Sequence, residues 1–143
     1  MARTSTYLNF LGRTEEAFTF YREVFGGEFL QPIQRFRDVP GMPPMPEADQ
    51  AKIMHVELAI LGGHVLMGTD ALESLGQSLT MGTNVHLNLE PDTRAEADRL
   101  FAGLVAEGGA ASMPMQEMFW GAYWGSLTDR FGVQWMINCA AKA

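Results

Sequence analysis

The chain repeats one order of elements twice, and this duplication constrains the fold more than any other feature. Tyr7–Phe10 (YLNF) precedes an amphipathic helix pattern that ends at Gly26-Gly27, and His86–Leu89 (HLNL) precedes another that ends at Gly108-Gly109. Self-similarity at a long period is typical of a duplicated architecture. We therefore expect two copies of one unit, each with the element order β-α-β-β-β.

Local patterns position the elements of each copy. In the first copy we expect strands over 6–10, 28–35, 52–60 and 64–69, and a helix over 13–25 with Thr14 as its N-cap. In the second copy we expect strands over 84–89, 111–118, 122–127 and 133–138, and a helix that Thr93 begins in a capping box. The proline-rich segment 38–50 predicts a loop.

These elements predict an α+β fold of two tandem βαβββ modules. We expect a single domain over 1–143, with module one at 4–70, a linker at 71–82 and module two at 83–140.

Charge and composition exclude several classes of protein. The net charge is −7 and the basic residues are scattered, which argues against a nucleic-acid partner. No apolar run approaches the roughly 18 residues that a membrane span needs, and we see no signal-peptide pattern. The single cysteine, Cys139, precludes an intrachain disulfide bond. We expect a cytoplasmic protein whose partner is a small molecule.

Alternation along the strands predicts which side chains share a face of each sheet. The apolar positions, among them Met54, Val56 and Val85, are expected to pack beneath the helices. The opposite face then collects aromatic, thioether and amide groups that suit a small-molecule pocket: Tyr7, Asn9, His55, Glu57, Met67, Asn84, His86, Asn88, Trp124, Ser126 and Met136. The same composition also fits an ordinary solvated sheet face, and both interpretations stay open at this point.

Trp120 and Trp124 are the aromatic residues that we expect to contact a ligand. They lie in the dense aromatic segment Phe119–Trp124. An aromatic face can stack on a planar or cationic ligand.

Several segments resemble a known superfamily. Tyr7–Gly12, Ala17–Tyr21 and Val24–Glu28 resemble the first half of the vicinal oxygen chelate proteins, the fold of glyoxalases, bleomycin-resistance proteins and extradiol dioxygenases. Gln116–Gly121 (QEMFWG) and Leu127–Asn138 (LTDRFGVQWMIN) are similar to the PhnB-like branch. The resemblance covers nearly the whole chain. It implies paired βαβββ modules, a cupped mixed sheet with helices on its outer face, and a homodimer.

The resemblance also implies where a metal would be bound. Enzymes of the superfamily usually hold one divalent metal through His and Glu side chains, two from each module. The matching positions in this chain are Thr6 or Tyr7, Met67, Asn84 (with His86 two residues along) and Met136. Thioethers are poor ligands for a hard or borderline divalent metal. We therefore expect no metal and no other cofactor. The alternative is a three-ligand site made of His55, Glu57 and His86.

The resulting expectation is a binding protein, or a weak enzyme, that holds an apolar or planar ligand in a cleft without the usual metal. The residues expected to contact the ligand are Tyr7, Asn9, His55, Glu57, Met67, His86, Asn88, Trp120, Trp124 and Met136. The alternative is a metal-dependent lyase, isomerase or dioxygenase that uses His55, Glu57 and His86. Methyl transfer is a third reading, and the sequence shows no glycine-rich loop for adenosylmethionine.

Overall fold

The computed structural model describes residues 1–140. They form two compact units, one over 1–80 and one that begins at Met81. Each unit contains a four-stranded sheet of mixed parallel and antiparallel strands and one helix of 12 residues. The predicted α+β class and the doubled βαβββ order are thus confirmed. Among the described residues, no helix has the length and apolar character needed to cross a bilayer.

The first unit has the strand order β1-β4-β3-β2, in which β1 pairs parallel with β4 and the other pairs are antiparallel. Its elements are β1 (Thr6–Phe10), α1 (Thr14–Phe25), β2 (Gln34–Arg35), α2 (Glu47–Gln50), β3 (Ile53–Ala59) and β4 (Val65–Asp70). The apolar side of the amphipathic pattern predicted for α1 is buried against the sheet, where Val56, Leu58 and Leu66 are almost fully enclosed. One face of this sheet therefore packs against α1 and forms the hydrophobic core of the unit.

The start of α1 differs from the prediction. Arg13, not Thr14, is the N-cap, and no side chain caps the helix from that position. Thr14 is fully buried, and both its backbone N–H (3.1 Å) and its hydroxyl (2.7 Å) donate to Oδ1 of Asp70. The second carboxylate oxygen accepts from the backbone N–H of Ile53 at 2.9 Å. Asp70 thus joins the ends of α1, β3 and β4 and satisfies a helix N–H that would otherwise lack a partner.

The second unit repeats this arrangement with the strand order β5-β8-β7-β6. Its elements are β5 (Leu87–Leu89), α3 (Arg94–Val105), β6 (Ala110–Glu117), β7 (Tyr123–Thr128) and β8 (Gln134–Cys139). The core between α3 and the sheet contains Leu100, Leu104 and Trp135, all fully buried. Thr93 is the N-cap of α3 as predicted, since its hydroxyl accepts from the backbone N–H of Glu96 at 3.1 Å.

Two predicted strands are much shorter in the structure. The strand expected over 28–35 is reduced to Gln34–Arg35 and an isolated bridge from Phe29 to Leu58. Pro32 lies between them and has no N–H to offer to the ladder. The segment expected to be a loop over 38–50 also contains the short helix α2.

The strand expected over 84–89 includes only Leu87–Leu89. Leu87 lies opposite Trp135 on β8, so in the same register His86 would lie opposite Gln134, the first residue of β8, and residues 84 and 85 would lie opposite the turn that precedes that strand. Residues 84 and 85 therefore have no strand to pair with. Val85, expected beneath the helix, is 67% exposed.

The first strands of the two copies also differ in register. Tyr7 lies opposite Met67 on β4, whereas Asn88 lies opposite Met136 on β8. Glu57 and Ser126 are the next partners of the two methionines. By pairing, the counterpart of Tyr7 is therefore Asn88, two residues beyond the His86 that the sequence repeat suggests. A slide of two residues preserves which side chains face the helix.

Candidate functional site

The face of the first sheet opposite α1 carries a row of functional side chains. Tyr7 on β1 lies opposite Met67 on β4, which in turn lies opposite Glu57 on β3. Asn9 lies opposite Thr69 in the same pair of strands. Directly opposed residues share a face of a sheet. Because Leu66 and Val56, their neighbours in sequence, are buried beneath α1, this row faces away from the helix.

A continuous chain of hydrogen bonds links three of these side chains, and we call it the Tyr7–His55–Glu57 chain. The Tyr7 hydroxyl lies 2.9 Å from Nδ1 of His55, and Nε2 of the same ring lies 3.0 Å from Oε1 of Glu57. A carboxylate can only accept, so Nε2 of His55 donates to Glu57. In the neutral ring Nδ1 is then the acceptor, and the Tyr7 hydroxyl donates to it.

The environment of Tyr7 favours its neutral form. Partial burial raises the pKa of the Tyr7 phenol, and the negative charge of Glu57 raises it further, while a hydrogen bond from Thr69 acts in the opposite direction. The raised pKa means that Tyr7 keeps its proton at neutral pH. The phenol is thus a hydrogen-bond donor with a proton to transfer.

A surface pocket of about 670 Å³ adjoins the Tyr7–His55–Glu57 chain, since Tyr7 is part of its lining. Its lining is Tyr7, Asn9, Phe36, Met54, Thr69, Asp70, Ala71, Gln77, Ser78 and Leu79. Within that lining set there is no lysine or arginine. The pocket combines apolar side chains with a few amide and hydroxyl groups, as small-molecule sites commonly do.

Met54 faces this pocket, so its predicted position beneath the helix is wrong. The β2–β3 ladder pairs Arg35 with Ile53 but Gln34 with His55, which leaves Met54 as the extra residue of an irregularity. An extra residue reverses the alternation locally. Ile53 takes the buried place at 1% exposure, and Met54 turns to the pocket.

The second unit places its predicted site residues less uniformly. Asn88, Met136 and Ser126 form one row across β5, β8 and β7. Ser126 is buried rather than accessible. Trp124 is half-buried on β7, opposite Asn138. Asn84 and His86 are exposed and precede β5, so their predicted positions on a strand face are wrong.

Trp120 lies outside the sheet, in the turn between β6 and β7. It is 50% exposed and packs edge-to-face against Phe119, with 4.9 Å between ring centroids, and Phe119 itself is 97% exposed. The turn is closed by a hydrogen bond from the backbone N–H of Met118 to the carbonyl of Ala122 at 2.8 Å. The structure thus presents two adjacent aromatic rings to solvent.

The donor groups do not match the metal set that the superfamily uses. Over residues 1–140, no group of three His, Cys, Asp or Glu side chains is placed to hold a metal ion. His55 and Glu57 bond to each other, and the remaining ring nitrogen bonds to Tyr7. The hairpin positions that would supply carboxylates carry the thioethers of Met67 and Met136.

Comparison with known proteins identifies the family. A model of the family described as 3-demethylubiquinone-9 3-methyltransferase matches residues 2–138. The chain belongs to this family. The resemblance inferred from the sequence is thereby confirmed. This PhnB-like chain is 33% identical to protein YjdN of Escherichia coli over 142 residues, which cover 94% of the chain and 92% of that protein.

Solved structures show the same relationship. Protein PA1353 from Pseudomonas aeruginosa is 36% identical with a TM-score of 0.84, and the match covers 99% of this chain and 100% of that one. A putative 3-demethylubiquinone-9 3-methyltransferase, PhnB protein, from Bacillus cereus is 25% identical with a TM-score of 0.76, over 97% and 100% of the two chains. A glyoxalase/bleomycin resistance protein/dioxygenase family enzyme from Burkholderia phytofirmans shares the fold at 21% identity and a TM-score of 0.60, over 94% and 96%.

Sequence reasoning missed part of the pocket wall. Met54 was assigned to the core, and Gln77–Leu79 to a linker. Gln77 is held in place because its side-chain oxygen accepts from the backbone N–H of Leu72 at 2.6 Å. A glutamine five residues after its partner is a weak signal, and no sequence pattern marks the strand irregularity at Met54.

Proposed function

We propose that this PhnB-like protein binds a neutral, planar or apolar small molecule in the pocket of its first unit, without the metal of the superfamily. The observation that carries the proposal is the Tyr7–His55–Glu57 chain, which ends at the edge of that pocket. A polar group fixed in this way can orient a ligand that apolar walls hold.

The size and lining of the pocket support this class of ligand. Its volume of about 670 Å³ lies within the roughly 300–1,000 Å³ of small-molecule sites. Phe36, Met54 and Leu79 supply apolar surface, and Met54 can adapt to the shape of a ligand. An anionic ligand would find no cationic side chain in this lining to pair with its charge.

The donor chemistry supports binding without a metal. A catalytic zinc site uses three protein ligands, drawn from imidazole, carboxylate and thiolate groups. Thioethers at two of the inferred positions, and an imidazole and a carboxylate that bond to each other, do not supply them. We therefore favour the metal-free reading over the lyase, isomerase or dioxygenase that would use His55, Glu57 and His86.

The family description raises methyl transfer as another activity, and the Bacillus cereus relative carries the same words as a putative function. The chain has no glycine-rich loop for adenosylmethionine. We propose ligand binding rather than methyl transfer for this reason.

Ligand-observed saturation-transfer NMR tests the binding proposal directly. The panel consists of 2-indanone, 2-tetralone and 2-naphthalenemethanol, all neutral and largely planar. We expect saturation transfer to at least one of them from the wild-type protein. Met54→Trp fills the pocket and is expected to abolish the signal, whereas Met113→Trp, at a strand position that is 42% exposed, is expected to retain it. Equal signals in both variants would place the ligand elsewhere.

Metal analysis distinguishes the metal-dependent alternative from the proposed metal-free binding function. Protein purified without chelator is analysed for bound metal, and its melting temperature is measured with and without EDTA. We expect no stoichiometric metal and an unchanged melting temperature. A stoichiometric metal with a melt that EDTA lowers would favour the metal-dependent alternative.

The second unit has its own proposed contacts, namely His86, Asn88, Trp120, Trp124 and Met136. Trp120→Ala and Trp124→Ala test these contacts separately from the first-unit pocket, by tryptophan fluorescence titration with each compound of the panel, and weaker binding in either variant is the result that would support them. An affinity that is unchanged in both variants removes these residues from the site.

We also propose a homodimer. Three large apolar side chains of the second unit are at least half exposed: Val85, Phe119 and Trp120. Exposed apolar surface of this kind often marks an interface. Gel filtration with light scattering should give twice the chain mass of 15.8 kDa, and a clean monomer would contradict the assembly.

A further inference from the structure

We propose that the Tyr7–His55–Glu57 chain is a proton relay, and that the site moves a proton between carbon and oxygen in a neutral carbonyl compound. The inference rests on the proposed ligand-binding function and adds an activity to it. The reaction class is keto–enol tautomerisation without a metal or a redox cofactor.

The directions of the hydrogen bonds determine the direction in which a proton can move along the relay. Glu57 fixes the neutral imidazole of His55 with its proton on Nε2, which leaves the lone pair of Nδ1 aimed at the Tyr7 hydroxyl at 2.9 Å. An orienting carboxylate, an imidazole base and a hydroxyl group in series have the logic of a catalytic triad. Here the hydroxyl group is a phenol, which suits it to proton transfer.

Exposure decreases along the chain in the order that a relay requires. Tyr7 is 46% exposed and lines the pocket, whereas the side chains of His55 and Glu57 are only 20% and 17% exposed. The phenol is therefore the member that a bound molecule reaches. His55 receives the proton behind it, and Glu57 stabilises the imidazolium that forms.

The chemical step balances without any added reagent. The Tyr7 oxygen takes a proton from the carbon next to a ligand carbonyl, while the Tyr7 hydroxyl gives its own proton to Nδ1 of His55. The electron pair of the C–H bond becomes the C=C bond, and the carbonyl π pair moves to oxygen to give an enolate. Return of a proton through the same groups, to carbon or to oxygen, completes exchange or tautomerisation.

The pocket selects the substrate class by charge and donor type. Its lining offers no cationic group to an anion but includes the amide of Asn9, which can donate to an enolate oxygen. A neutral ketone with acidic C–H bonds and a planar apolar ring satisfies both conditions. We chose 2-indanone as the probe for these reasons.

Proton NMR of 2-indanone in D₂O measures the activity. We expect the wild-type protein to accelerate the loss of the ring CH₂ signal above a matched buffer blank. Tyr7→Phe keeps the ring but removes the hydroxyl group, and it is expected to lower the protein-dependent exchange rate about a hundredfold, the usual contribution of a general acid–base group. His55→Gln is expected to have a comparable effect. In Glu57→Gln the amide can donate to Nε2, which favours the wrong tautomer, so we expect a fall of more than about tenfold.

Two matched variants control for the loss of the same functional groups elsewhere. Tyr123→Phe removes a hydroxyl group that bonds to Asp98, and His64→Gln removes an imidazole that bonds to Thr6. Both are expected to keep the wild-type exchange rate. Melting temperatures confirm that each variant is folded.

Saturation-transfer measurements on the same samples separate the two proposals. Binding of 2-indanone without accelerated exchange would overturn the relay and leave the binding function standing. Exchange that persists in Tyr7→Phe would also overturn the relay. If 2-indanone neither binds nor exchanges, the relay proposal fails, and the other compounds of the panel decide the binding function.

Discussion

At the scale of single residues, three buried aspartates organise this protein, and each accepts hydrogen bonds from two or more donors. Asp129 accepts from the backbone N–H groups of Phe131 and Val133 and from the indole of Trp135. Asp49 accepts from Lys52 at 2.7 Å and from the Ser74 hydroxyl at 2.6 Å. A buried carboxylate is stable only when its oxygen atoms are paired in this way. These residues fix loops and element ends.

Asp70→Asn tests the most connected of the three. The amide of an asparagine retains one acceptor oxygen for Thr14, but its NH₂ group would face the backbone N–H of Ile53, which is also a donor. We expect a loss of about 1–3 kcal/mol in the free energy of unfolding, the usual result of leaving a buried donor unpaired. Urea denaturation measures it. Asp92→Asn, at an exposed position, is the control with no expected change, and equal stabilities of the two variants would contradict this role of Asp70.

At the scale of elements, the sequence predicted what depends on local periodicity. The stripe of α1 and the Thr93 N-cap are set by side chains three or four residues apart, and both are confirmed. The Thr14 cap was wrong because the partner of Thr14 is Asp70, 56 residues away. A partner at that distance leaves no trace in a local pattern.

Strand ends and strand irregularities were predicted less well, because they depend on the neighbouring strand. Residues 84 and 85 have strand character, but the register of β5 with β8 places them opposite a turn instead of a strand. The irregularity at Met54 depends on how β2 pairs with β3, and it moved a predicted core residue into the pocket. Within the candidate site, polar side chains alternate with apolar ones along the strands. This alternation correctly placed Tyr7, His55 and Glu57 on one face of the sheet. Their hydrogen-bond order required the three-dimensional register.

The contact between β4 and α1 gives a prediction at this scale. A Cβ atom on Gly68 would lie 2.5 Å from Cε2 of Phe18 and 3.2 Å from Cγ2 of Thr14. Gly68→Ala must therefore displace the buried Phe18 ring, and we expect it to cost about 1–3 kcal/mol by overpacking. Chemical denaturation provides the measurement. Gly82→Ala places a new methyl group 3.3 Å from the exposed Asn84 side chain and should be nearly neutral. A neutral Gly68→Ala would mean that α1 is free to move away from the sheet.

At the scale of the whole molecule, two units of the same order have diverged in different ways. The first concentrates hydrogen-bonded ionisable groups on the face of its sheet away from α1. The second carries thioether, amide and aromatic groups at the corresponding positions, with Asn88 where Tyr7 stands and Ser126 where Glu57 stands. A duplicated fold that places different chemistry in its two copies can develop a site in one copy and a contact surface in the other. The proton relay and the exposed aromatic turn fit that division.

Acid stability provides a prediction for the chain as a whole. The pKa of Glu15 is lowered by its hydrogen bond with Arg35, that of Glu96 by Arg99, and that of Asp49 by Lys52 and then Ser74. A carboxyl group with a lowered pKa in the folded state binds fewer protons there than in the unfolded chain. Its contribution is therefore fully present above the unfolded values of 4.5 for Glu and 3.8 for Asp, and it is lost as the pH falls through the lower folded values.

We expect the urea midpoint to change little between pH 7 and pH 5 and to fall steeply below about pH 4. The net charge of −7 shrinks as the pH approaches the isoelectric point near 4.8, so charge repulsion decreases over the range in which stability holds; below that point the chain becomes positive, and repulsion adds to the loss of the ion pairs. Added salt screens the exposed pairs of Glu15 and Glu96 more than the buried Asp49. In 0.5 M NaCl the fall should thus become shallower but persist. A midpoint that declines steadily from pH 7, or one that is flat down to pH 3, would show that these ion pairs do not control the acid limit of the fold.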